Sequence, residues 1–118
     1  MMSQQQKQLF ARALDRVAGD ESTLQMLAGI TVEDAPELLS QLESEAAAGR
    51  CADAARTAPA LKGLFSTFET DQPVSVMLSL IDAGRNGDIE LMKTTMDDLE
   101  PKLATLFKEI QGISESTA

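Results

Sequence analysis

The sequence predicts an all-α protein: an up-down antiparallel four-helix bundle with an additional N-terminal helix. Three observations carry that expectation. Ala, Leu, Met, Glu, Gln and Lys dominate the chain, and these residues favour the helix. No stretch alternates β-branched and polar residues for long enough to form a strand. Apolar residues instead recur at helical spacing between turn signals at Gly19-Asp20, Gly49-Arg50, Glu69-Thr70-Asp71 and Gly84-Arg85-Asn86-Gly87-Asp88. A chain of 118 residues supports one core, so residues 1–118 are read as a single domain.

The first helix is predicted over residues 3–18, with Phe10, Leu14 and Val17 on one face and Gly19 at its end. Asp20 is a candidate N-cap for a second helix over residues 20–48, whose apolar stripe is Leu24, Leu27, Ile30, Leu38, Leu42 and Ala46. Asp34-Ala35-Pro36-Glu37 also reads as a fresh N-cap, which leaves one kinked helix or two; the continuing stripe favours the kink. The third helix, residues 52–68, places Ala54, Ala58, Leu61, Phe65 and Phe68 on one face. A fourth follows Asp71 as N-cap, with Pro73 in its first turn and Val74, Met77, Leu78 and Ile81 as its apolar residues. The last helix, residues 88–113, carries a seam of Met92, Met96, Leu99, Leu103, Leu106, Ile110 and Ile113. That seam crosses Pro101 without a slip, so a kink is expected there rather than a break. Short connections make the later helices antiparallel neighbours, with the first helix across one end.

Composition excludes several function classes. Nineteen acidic and ten basic residues give a net charge of −9, which opposes binding to nucleic acid or to an anionic membrane surface. Four phenylalanines are the only aromatic residues, too few for a base-stacking platform. There is no run of about 18 apolar residues and no secretory leader, so a cytoplasmic location is expected. The single Cys51 cannot form an internal disulfide, in keeping with a reducing compartment. The chain has no histidine. Phosphohistidine chemistry, Ser-His-Asp and Cys-His pairs and His-ligated metals are therefore out of reach. No glycine-rich loop follows a strand, so no nucleotide cradle is expected. The expectation is a protein that is not an enzyme and uses no cofactor or metal.

One helix face stands apart. On a 3.6-residue turn Ala55, Pro59, Lys62, Gly63 and Ser66 share one side of the third helix, away from its apolar stripe. A glycine in a helix interior costs about 1 kcal/mol relative to alanine, so Gly63 asks for a packing or access reason. Pro59 removes a backbone donor and crowds the preceding turn. A kink is expected, or a restart with Thr57 as N-cap.

The segment Thr57-Ala58-Pro59-Ala60-Leu61-Lys62-Gly63 resembles the phosphoacceptor helix of histidine-containing phosphotransfer domains, whose motif reads Ala-His-x-Leu-Lys-Gly. Ala58, Leu61, Lys62 and Gly63 match, and Pro59 stands in the histidine position. The stretch Glu33-Asp34-Ala35-Pro36-Glu37-Leu38-Leu39 is similar to the family's long second helix, and Ala83-Gly84-Arg85-Asn86-Gly87-Asp88 to its turn into the last helix. The chain departs from the family at Leu64 and Phe65, where small residues are common, and at Glu69, where a glycine is common.

The resemblance implies a four-helix bundle that docks the receiver domain of a response regulator or a hybrid histidine kinase. It implies that Lys62 occupies the place of the lysine that neutralises the phosphoryl group, and that Gly63 gives the receiver access. With Pro59 as the degenerate phosphoacceptor position, the expectation is a non-catalytic binding module in phosphorelay signalling. Its partner-binding residues would be Ala55, Pro59, Lys62, Gly63 and Ser66. The alternative is a structural or oligomerisation bundle that has lost its relay partners, a reading motivated by the seam of the last helix.

Overall fold

The computed structural model describes residues 2–115. Among them every regular element is a helix: α1 (Gln4–Leu9), α2 (Ala11–Arg16), α3 (Glu21–Ala47), α4 (Cys51–Phe65), α5 (Met77–Arg85) and α6 (Ile89–Glu115). Among the described residues no helix is long and apolar enough to cross a membrane.

The first predicted helix is divided. Phe10 leaves helical geometry at φ −111° and ψ 32°, separating α1 from α2. Its ring is buried and meets Phe68 edge-on, with centroids 5.9 Å apart. Aromatic burial and this contact outweigh one residue of regular helix. Ser3 starts α1 with a capping box, accepting from the Gln6 amide while the Gln6 side chain accepts from Ser3. The pair α1–α2 lies across one end of the molecule. The Met2 amide donates to Glu21 Oε1 at 3.2 Å, and Arg16 donates to the Thr67 carbonyl at 2.7 Å.

Asp20 caps α3, its carboxylate accepting from the amide and hydroxyl of Thr23. These bonds, the hydroxyl's first, hold the Asp20 carboxyl below its usual range. The helix then runs unbroken through Pro36, and Asp34 starts no second helix. The buried stripe differs from the predicted one. Leu24, Leu42 and Ala46 are buried as expected, but Ala28, Thr31 and Ala35 join them, while Ile30 is 45% exposed. Two steps of three residues carry Ile30 about 120° round the helix from Leu24. Steps of four and three through Ala28 and Thr31 stay on the core side, and the small alanines let the neighbours come close.

In α4 the predicted face is buried throughout: Ala54, Ala58, Leu61, Phe65 and, one turn past the helix end, Phe68. Pro59 lies inside α4, which does not restart at Thr57. The fourth predicted helix begins later than expected. Asp71 is not its N-cap; its carboxylate pairs with Arg12 at 2.8 Å. From Pro73 to Ser79 the backbone bonds run three residues back, as in Val76 to Pro73 and Met77 to Val74, so the chain makes tight turns before α5 starts at Met77. Val74 is buried all the same. Asp88 caps α6, accepting from the Leu91 amide at 3.1 Å. All seven predicted seam residues of α6 are buried, and the helix passes Pro101 uninterrupted.

Packing closes a circuit: α3 lies against α4 and α6, and α5 lies against the same two. Contacts fix the directions. The Thr31 hydroxyl, in the first half of α3, lies 3.5 Å from the Leu64 carbonyl at the end of α4. Gly29 of α3 faces Ser114 at the end of α6, and Gly49, just after α3, faces Ile89 at the start of α6. Gly84, near the end of α5, faces Cys51 and Ala55 at the start of α4. Each of these neighbouring pairs is therefore antiparallel.

Candidate functional site

The surface singled out by the sequence lies on α4 where that helix meets α5. Ala55 is partly buried and abuts α5. A Cβ placed on Gly84 would stand 3.1 Å from the Ala55 Cβ and 2.9 Å from the Cys51 carbonyl oxygen. Only glycine fits there, because both obstacles are fixed to the facing helix. Ala55 thus belongs to the helix contact and forms the inner edge of the candidate face. Sequence reasoning read Gly84 only as part of a turn signal; the nearby small residues Cys51 and Ala55 were the available sign of close packing.

The other four residues reach the surface to different degrees. Pro59 and Gly63 are exposed, and Lys62 and Ser66 are partly exposed. A Cβ on Gly63 would meet nothing within 4 Å. The helix cost of this glycine is therefore not offset by packing inside the chain, and alanine would fit. The Ser66 hydroxyl is turned back along the helix and donates to the Lys62 carbonyl at 2.7 Å. Its proton is committed there, so Ser66 faces outward as an acceptor. No carboxylate among the described residues is ion-paired with Lys62. Its ammonium is the one positive charge of this face.

The opposite flank of α4 is differently built. Thr57 is buried and accepts a hydrogen bond from Gln41 of α3 at 3.2 Å. Gln41 also reaches Glu45 Oε2 at 3.4 Å, while the buried Glu45 Oε1 has no partner. Asp53 pairs with Arg50 at 2.6 Å and with Arg56. These groups were not predicted as a cluster, because it takes the α3–α4 packing to bring Gln41 and Glu45 beside Thr57.

Chemically, the Pro59 face offers a cation, a bare stretch of backbone and a proline ring. Among the described residues no carboxylate is hydrogen-bonded to the hydroxyl of Thr57 or Ser66: Thr57 is bonded to Gln41 and Ser66 to a carbonyl. Among the described residues no group of three or more His, Cys, Asp or Glu is arranged to hold a metal ion. The carboxyls raised above their ordinary range are elsewhere. Desolvation and then Glu100 raise Glu43, while desolvation and then Glu69 raise Glu109. Searches against protein-family models, curated proteins and solved structures gave no match.

Proposed function

We propose that this chain is a non-catalytic phosphotransfer-like binding module. It docks a receiver domain, or the histidine kinase that carries one, without passing a phosphoryl group. In this reading α3, α4, α5 and α6 are the up-down four-helix bundle of the family, α1 and α2 replace a single capping helix, and the setting is cytoplasmic. The observation that carries the proposal is the surviving pair Lys62-Gly63. Among the described residues the lysine has no ion pair, and the glycine has open space where packing would have explained it. A receiver presents acidic groups around its phosphorylation site, which the Lys62 ammonium complements. Pro59 replaces the phosphoacceptor, so occupancy of the docking surface becomes the output: competition with an active relay protein, or retention of a regulator.

The oligomerisation alternative rested on the seam of α6, and that seam is buried within the chain. Titration of labelled protein with a panel of isolated receiver domains tests the leading reading. Saturable binding to at least one receiver is expected, weakened about tenfold by Lys62→Glu, with no label transferred from phosphorylated receiver. Failure to bind any receiver or kinase, or indifference to Lys62→Glu, would overturn it.

A further inference from the structure

A second surface lies on the far side of the molecule, where α3 meets α6. Two adjoining cavities of about 180 and 200 Å³ share Glu43 and together form a groove between the helices. Its floor is apolar, with Ala46, Ala47 and Met96 in one part and Pro36, Leu39 and Phe107 in the other. From Pro36 to Ala47 the groove follows about 16 Å of α3, roughly three helical turns.

Its rim is predominantly acidic. Glu43 from α3 and Asp97 and Glu100 from α6 line it, against the single ammonium of Lys93. No lysine or arginine among the described residues is ion-paired with any of those three carboxylates. Glu43 is held above the ordinary carboxyl range, first by desolvation and then by the nearby Glu100.

We infer that the α3–α6 groove docks a basic amphipathic helix of a partner protein. Long aliphatic stems ending in guanidinium or ammonium groups match both features, the stem on the apolar floor and the head between the carboxylates. Charge decides against the other occupants. A second copy of a chain with nineteen acidic and ten basic residues would be repelled, as would nucleic acid or anionic lipid. In the helix circuit α3–α6 is the edge opposite α4–α5, so this groove and the Lys62 face can be occupied together. Receiver docking at Lys62 and helix docking here stand or fall separately.

The probe is a designed peptide of about 18 residues, about 27 Å as a helix, with leucines on one face and arginines on the other. Added to the isotope-labelled full chain, it is expected to shift the amide signals of Glu43, Ala47, Met96 and Glu100. The double variant Glu43→Gln, Glu100→Gln should weaken binding about tenfold, as two part-exposed ion pairs allow. Lys93→Gln, which removes the opposing charge, should tighten it about twofold. Both variants relieve or leave unchanged the packing, and circular dichroism checks their helicity. Four results would overturn the proposal: signal shifts confined to other surfaces, equal binding of a glutamate-bearing counterpart, an affinity indifferent to the double variant, or a wild-type dimer that the same substitutions dissolve.

Discussion

Gly63 and Gly84 lie on helices that face each other, and alanine at the two positions should have opposite effects. In α4, Gly63→Ala places a methyl in open space. It relieves the helix cost of glycine and narrows the unfolded ensemble, so the folded state should gain about 0.5–1 kcal/mol. In α5, Gly84→Ala gains the same helix preference but sets its Cβ 2.9 Å from the Cys51 carbonyl oxygen and 3.1 Å from the Ala55 Cβ. Neither obstacle is the end of a flexible side chain, so α4 and α5 must move apart. Overpacking of this kind costs about 1–3 kcal/mol, and a backbone obstacle takes the upper part of that range. About 2 kcal/mol of net destabilisation remains. Urea denaturation of the two variants and the wild type measures both, and thermal melts should separate the variants by roughly 10 °C. A Gly84→Ala protein as stable as wild type would refute the close α4–α5 contact. A Gly63→Ala protein that is destabilised would refute the open surface. The same variant bears on function: if Gly63 is kept for access, Gly63→Ala should bind a receiver more weakly while being more stable.

Other expectations follow from the same structure. Pro59→Ala restores a helix donor inside α4 and should stabilise the protein by about 1–3 kcal/mol, read as a rise in the urea midpoint. Leu42→Ala should cost about 2–5 kcal/mol, whereas Ile30→Ala should stay within about 0.5 kcal/mol, because Leu42 is fully buried and Ile30 is not; equal losses would restore the predicted stripe. Glu43 has a folded-state pKa raised above its ordinary 4.5, so the folded state binds its proton more tightly than the unfolded state. The stability linked to that proton is present below the ordinary value and is lost as pH rises through the folded one. Glu43→Gln should therefore gain on wild type as pH rises from about 4.5 towards neutrality, with Asp97, Glu100 and Lys93 unchanged in both proteins. Parallel stability curves for the two would refute the raised Glu43 pKa that desolvation and then Glu100 produce.

Much of this molecule was legible from residue order alone. The α6 seam, the α4 core face and the cap at Asp20 depend on helical period and on side chains bonding to backbone a few residues away. Such relations are local, so the sequence displays them directly. Its other certainty is chemical: without a histidine, the chain cannot carry a phosphohistidine whatever the fold. Tertiary structure decided the remainder. It broke the first helix at Phe10 because that ring has Phe68 to pack on, a residue far along the chain. It turned Ile30 outward and Ala28 and Ala35 inward, because closeness of approach, not residue bulk, selects the core stripe of α3. It delayed α5 to Met77 and gave Asp71 to Arg12. It also separated two glycines that look alike in sequence: Gly84 lies against a neighbouring backbone, while Gly63 faces open space. Those outcomes depend on what stands opposite a residue across a helix interface, and only the packed chain specifies that.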